Sequence, residues 1–159
     1  MLKSLEYIAD ENSRILMLGS FPSEASRKVK QFYGNKRNQF WKLLFEVFEE
    51  KYSNETSYED KIQFLLKKNI ALWDVIHTCE TARSLDSEIK NPTFNDIPKF
   101  LSKHPKITKI FCNGKMVYNL VKKMGIEEEK INVLPSSSPT NTMKYVDKLN
   151  LWKSIILNM

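Results

Sequence analysis

The sequence predicts an α/β sandwich built on a short, mainly parallel sheet. Two observations lead there. Apolar runs of strand length alternate with stretches of helical period along the chain. Those runs also lack polar alternation, as strands covered on both faces do. At 159 residues, with 42% hydrophobic and 28% charged residues, the chain is expected to form one domain over 1–159. No repeat, low-complexity tract or linker divides it.

The elements follow in order. Residues 14–18, RILML, form an apolar run that stops at Gly19, as a buried strand should. Residues 20–37 have no sustained period and are expected to be a long loop. Over 38–50, Phe40, Leu43, Leu44, Val47 and Phe48 fall on one helical stripe. A second helix is expected over 58–68, a strand over 70–76 and a helix over 93–104, with Pro105 beyond its end. Residues 107–112 are β-branched and apolar, and Asn113-Gly114 should turn the chain into a helix over 115–124. The last strand is 131–134; the Pro/Ser-rich 135–142 must be a loop, and 143–157 closes the chain as a helix. In such sheets ligands bind beyond the carboxyl ends of the strands. Function is therefore expected in the loops 19–37, 74–85 and 135–142.

Charge is uneven. The total is 25 Lys+Arg against 19 Asp+Glu, a formal +6. Between Ala25 and Lys42 stand six cations (Arg27, Lys28, Lys30, Lys36, Arg37, Lys42) and no acid, whereas Glu46 to Asp60 holds six acids and one cation. A basic surface for an anionic partner and a merely solvated face both fit this pattern. Cys79 and Cys112 form no CxxC and no Cys/His cluster, so no metal is expected. There is no signal peptide and no apolar stretch able to span a bilayer, which predicts an intracellular protein with reduced thiols and no membrane partner.

The loops narrow the chemistry. No GxGxxG and no GxxxxGK[ST] is present, so the usual dinucleotide and triphosphate cradles are missing. Gly19 permits close backbone approach, and Pro22 stiffens the following turn. Ser136-Ser137-Ser138 offers hydroxyls and N–H groups to a phosphate, yet has the composition of a polar surface turn as well. Asp74, at a strand end, suits a recognition carboxylate, a general base or a turn residue. His77 nearby suits a ligand contact or a local hydrogen bond, and His104 suits a helix end. Asn38 stands where a helix N-cap belongs.

Three segments together carry a family resemblance. GSFPS at 19–23, YGNKRNQFW at 33–41 and LPSSSP at 134–139 resemble the uracil-DNA glycosylase superfamily, and within it the hypoxanthine-DNA (deoxyinosine) glycosylase branch, akin to the mismatch-specific uracil and thymine glycosylases. ALWDVI at 71–76 and SLDS at 84–87 resemble the same branch. The resemblance spans most of the chain, with motif order and spacing kept. It implies a three-layer αβα sandwich and a monofunctional glycosylase of base excision repair that needs no cofactor. Such an enzyme flips a deaminated nucleotide from DNA, hypoxanthine in preference to uracil, and hydrolyses its N-glycosidic bond to leave an abasic site. Its partner is damaged DNA; it is expected to act as a monomer, associated with the nucleoid, and to pass its product to abasic-site repair enzymes.

Site roles follow from the same resemblance. Asn38 matches the residue that positions the attacking water. Tyr33 matches the residue that stacks on the flipped base, with Phe21 as a second wall. Asp74, Asn35, His77 and Ser136 are expected to bind the base. Ser20, Ser23, Lys36, Arg37, Ser137, Ser138 and Thr140 are expected to hold DNA phosphates. Many members carry Asp or Asn in the first motif; here the loop offers Ser20 and Phe21, so the task passes to Asn38. Ser136 stands where many members have His or Asn, and Thr140-Asn141 where an apolar wedge is usual. Two alternatives accompany this reading. One is a catalytically weak or inactive DNA-binding module on the same fold. The other is an unrelated α/β protein that binds a free nucleotide or phosphorylated metabolite. On this reading capping and catalysis compete for the Asn38 side chain.

Overall fold

The structure is a computed structural model that describes residues 1–80 and 89–158. In chain order the elements are β1 (Leu2–Lys3), β2 (Ile15–Gly19), α1 (Glu24–Val29), α2 (Phe40–Val47), α3 (Tyr58–Lys67), β3 (Ile70–Asp74), β4 (Ile76–Cys79), β5 (Thr93–Phe94), α4 (Ile97–Lys103), β6 (Lys109–Asn113), α5 (Lys115–Val121), β7 (Ile131–Leu134) and α6 (Tyr145–Leu157). A four-stranded parallel sheet runs in the order β3-β2-β6-β7. Its register aligns Ile15 with Ile70 and Gly19 with Asp74 on one side of β2, and Ile15 with Lys109 on the other. Asn113 of β6 lies opposite Leu134 of β7.

The period-2 pleat sorts each strand between two cores. Ile15, Met17, Ile70, Leu72, Phe111 and Leu134 pack with Phe40, Leu44, Phe64 and Trp152 of α2, α3 and α6. Leu16, Leu18, Ala71, Ile110, Cys112 and Ile131 pack with Ile97, Phe100, Val117 and Val121 of α4 and α5. Helices thus cover both faces, and the expected three-layer α/β sandwich is the observed one. Among the described residues, no helix is long and apolar enough to cross a membrane.

Three expectations change. The stretch 20–37 is not all loop. Ser23 accepts a hydrogen bond from Ser26 N–H (3.2 Å) and caps α1. This helix buries only Ser26, so it leaves no apolar stripe to read. The expected strand 70–76 breaks after Asp74, where the chain leaves the parallel sheet and β4 joins a second, antiparallel sheet of order β1-β4-β5. The helix expected from 93 begins at Ile97, because Asp96 caps it through Lys99 N–H (3.0 Å) while Thr93–Phe94 pair with β4. At the other end of that helix, His104 Nδ1 lies 2.9 Å from the Phe100 carbonyl oxygen.

The strand order locates the site. From β2 the chain crosses to β3 on one side, and later places β6 on the other. The carboxyl ends of β2 and β6 therefore flank a topological switch point, where an open α/β sheet leaves a crevice.

Candidate functional site

A cleft of about 720 Å³ opens at that switch point. Its floor is made by strand ends: Gly19 of β2, Asp74 of β3, Asn113 of β6 and, after β7, Ser136. Residues 20–26, Tyr33, Asn35, Arg37, Asn38 and the 136–140 loop form the walls. Of the loops expected to carry function, 19–37 and 135–142 meet here. The 74–85 loop contributes Asp74; part of it, and the SLDS segment at 84–87, lie outside the described residues.

Gly19 sets the clearance of the floor. A Cβ built there would lie 2.5 Å from Tyr33 Oη and 2.6 Å from Asp74 Oδ1. The phenol and the carboxylate therefore converge over the bare backbone of one residue. Asp74 is only 4% exposed, and burial of this kind makes a carboxylate a strong acceptor for an N–H that reaches it.

Tyr33 is held like a shelf. Its ring stacks on Phe40 with centroids 3.9 Å apart and planes 12° from parallel. Phe40 is fully buried and meets Trp41 and Trp152 edge-on, so the shelf is backed by the core. The Tyr33 backbone sits at φ +52°, in the left-handed region that a bulky L-residue avoids. Its neighbours enforce this. Phe32 N–H donates to Tyr58 Oη (3.1 Å), Trp41 Nε1–H to Phe32 C=O (2.8 Å), and Gly34 N–H to Ser26 Oγ (2.8 Å). Strain of about 1–3 kcal/mol persists where the surroundings over-determine it, and such places are commonly functional. Burial and the Phe32 hydrogen bond act in opposite directions on Tyr58, and burial prevails, raising its pKa.

Asn38 also lines the cleft. Its Oδ1 accepts Phe40 N–H (2.9 Å) at the start of α2 and also the Ser137 hydroxyl (2.7 Å). Gln39 N–H donates to Ser137 C=O (3.1 Å), which docks the 135–142 loop on the helix entry. Behind this junction the almost fully buried Lys148 donates to Gln39 Oε1 (2.9 Å). Desolvation lowers the Lys148 pKa. The N-cap of α2 is Gln39, which makes no side-chain cap bond, so Asn38, expected there, stands one position before it; its oxygen still takes Phe40 N–H, and the residue lines the cleft.

Other site residues fare differently. Phe21, Asn35, Ser20 and Ser136 line the cleft. Phe21 lies under the Arg27 guanidinium at 5.5 Å, and Arg27 also donates to Pro22 C=O (2.8 Å). The Asn35 carboxamide accepts Arg37 N–H (3.0 Å), a turn that leaves Arg37 exposed on the cleft wall. Lys36 is exposed beside it. Ser138 and Thr140 share a hydroxyl contact of 2.9 Å at the rim. Among the described residues, none of the six cations from Arg27 to Lys42 forms a salt bridge. Arg27 and Lys42 are engaged in other ways, over the Phe21 and Tyr145 rings at 5.5 and 4.5 Å, while Lys36 and Arg37 stand exposed.

Two assignments are corrected. His77 does not reach the cleft. It lies exposed on β4, beside Tyr7 and Trp73 in a separate depression, because the chain leaves the parallel sheet after Asp74. Ser137, expected at a phosphate, is turned inward. It is 0% exposed, and its N–H, hydroxyl and carbonyl are all engaged within the protein. Ser23 lines the cleft but also serves α1 as its cap.

Asn113 is the residue that sequence reasoning missed. It donates to Ser137 Oγ (2.8 Å) and Tyr33 Oη (3.1 Å) and accepts Ser137 N–H (2.9 Å). Its only signal was position: an amide at a strand's carboxyl end, masked by the following glycine as an ordinary turn. Gly114, at φ +101°, lets Ser136 approach, since a Cβ there would stand 3.3 Å from Ser136 Cβ.

Comparison with known proteins gives a consistent result. The family model of the uracil DNA glycosylase superfamily matches residues 5–158. A protein named hypoxanthine DNA glycosylase from Methanosarcina acetivorans is 34% identical over 151 residues, covering 93% of each chain. Another of that name from Methanosarcina barkeri is 29% identical over 148 residues, covering 91% of each. The solution NMR structure of a candidate uracil DNA glycosylase from Methanosarcina acetivorans superposes with a TM-score of 0.82 at 33% identity, covering 98% of this chain and 96% of that one.

Proposed function

Because the chain belongs to the uracil DNA glycosylase superfamily, we propose that its cleft excises hypoxanthine from DNA as a monofunctional, monomeric glycosylase over 1–159. The observation that carries this reading is the convergence of a flat aromatic, a buried carboxylate and a carboxamide from separate loops on one cleft. A base inside the duplex is out of reach, so it must first leave the stack. Tyr33, backed by Phe40, replaces part of the lost stacking, worth roughly 1–3 kcal/mol per base. Asp74 accepts an N–H from the base edge. Hypoxanthine presents N1–H there, whereas adenine presents a lone pair that a carboxylate repels. The damaged base is thereby separated from its parent.

Hydrolysis then breaks the C1′–N bond. Its electron pair departs with the base, and positive charge develops on the sugar. Water adds its oxygen to C1′ and loses a proton, while the base takes one up. A cation-like sugar needs a well-placed nucleophile more than a strong one, and Asn38 supplies placement. Arg37, Lys36, Ser20, Ser138 and Thr140 hold the flanking phosphates without reading sequence. The work is intracellular, on damaged DNA, and its abasic product feeds further repair enzymes.

The test uses duplexes containing hypoxanthine, uracil, xanthine or mismatched thymine, incubated with the protein and then treated with alkali to cleave abasic sites. Scission is expected first with hypoxanthine. No scission on any substrate would overturn the enzyme reading, and retention of DNA without scission would make the protein a binding module.

A further inference from the structure

A carboxamide can meet a substrate with either of two ends, and the ends do opposite chemistry. The carbonyl accepts; the NH2 group donates. At Asn38 the structure distinguishes them. Oδ1 receives one hydrogen bond from Phe40 N–H and a second from the Ser137 hydroxyl, which fills both of its lone pairs. Nδ2 has no hydrogen bond to a described residue, and Asn38 lines the cleft.

The direction of this chain of bonds is fixed from outside. Ser137 N–H, a donor that cannot reverse, binds Asn113 Oδ1. That settles which end of Asn113 is nitrogen, and Nδ2 then donates to Ser137 Oγ. With its oxygen already accepting, the Ser137 hydroxyl turns its proton to Asn38. Phe40 N–H, another irreversible donor, fixes the far end. Rotating the Asn38 amide by half a turn would set its NH2 against two donors inside a wall where Ser137 is completely buried.

We propose that Asn113 and Ser137 are positioning residues that lock the Asn38 carboxamide so that it meets the cleft as a hydrogen-bond donor. This inference rests on the glycosylase reading above and sharpens it. Nδ2–H holds the attacking water by one lone pair and leaves the other for C1′. Asn38 takes no proton; the proton leaves to solvent once the C–O bond has formed.

Two near-isosteric variants test this in single-turnover excision on a hypoxanthine duplex. Asn38→Asp keeps an oxygen for Phe40 N–H and Ser137 but loses the donor. Its rate at neutral pH should fall about 100- to 1,000-fold, the loss typical of a removed active-site donor, and should recover as pH drops and the free oxygen gains a proton. If the carbonyl were the working end, this variant would match or exceed the wild type at neutral pH, and that result would overturn the proposal. Asn113→Asp still accepts Ser137 N–H but draws the Ser137 proton away from Asn38. Its rate should fall at least about tenfold with DNA affinity and melting kept, and it should recover in the same acidic direction. An Asn113→Asp rate equal to wild type, or a loss that follows melting and shows no pH dependence, also refutes the positioning role. A wild type inert on every substrate overturns both this inference and the glycosylase reading; an active wild type with unaffected variants overturns this inference alone.

Discussion

Gly19→Ala should separate the cost of crowding the cleft floor from a general loss of stability. Gly19 is at the end of β2, and a methyl there would fall 2.5 Å from Tyr33 Oη and 2.6 Å from Asp74 Oδ1. Ordinary contact lies near 3.5 Å, so each group must retreat by about 1 Å. Neither moves freely, since Tyr33 is stacked on Phe40 and bonded to Asn113, and Asp74 is buried at its strand end. Overpacking of this kind costs about 1–3 kcal/mol. Reduced freedom of the unfolded chain returns about 0.4–1 kcal/mol. The net loss reaches at most about 2.5 kcal/mol, or about 10 °C of Tm for a chain of this size. Catalysis is hit harder, because displacement of about 1 Å at a reacting centre costs about 100-fold in rate. Gly125→Ala is the control: nothing lies within 4 Å of its Cβ, but its φ of +76° makes alanine strained by about 1–2 kcal/mol. Both variants should melt early, and only Gly19→Ala should lose single-turnover excision of hypoxanthine. A Gly19→Ala protein with the wild-type rate would refute the reasoning about the floor.

Three further outcomes are expected. Tyr33→Ala removes the shelf and should slow excision by about 10- to 100-fold, whereas Tyr33→Phe keeps the ring on Phe40 and most of the rate; equal losses in the two would deny a stacking role. DNA affinity should fall steeply with salt, and Arg37→Ala should lower the slope of log K against log salt by about 1 while weakening all sequences alike, as measured by fluorescence anisotropy. Burial pushes the Cys112 thiol from 9.0 up to about 12, so it should resist a thiol-specific reagent at pH 8 until the protein unfolds. The raised pKa also sets a sign: the unfolded chain releases this proton first, so stability held below pH 9 should decline as pH rises toward 12 in melting scans.

Strands β2 and β3 were legible because burial on both faces writes them as apolar runs; β7 has the expected bounds 131–134 although Asn132 interrupts its apolar residues and Val133 is exposed. The helix α2 was legible from its stripe. Short elements were not. Helix α1 has a serine as its buried residue, and β1 and β5 are two residues long, so neither period had room to repeat. One break then misplaced a site residue: reading 70–76 as a single strand carried His77 to the strand ends, while the real chain turns at Val75 into another sheet. Ser137 and Asn113 were missed in their roles for a different reason. Polar composition marks a loop as a surface, and only the fold reveals that this one folds a serine inward to meet an asparagine 24 residues away.

That inward serine has an engineering consequence. It joins Asn38 across a sequence separation of 99 residues, and its carbonyl takes the N–H of Gln39. The entry to α2 and the loop after β7 therefore behave as a single inherited module. Grafting either one alone from a relative into another member would strand buried donors and acceptors, at about 1–3 kcal/mol for each. Chimeras that exchange both segments together should fold and act; those that exchange one should fail at the seam between them.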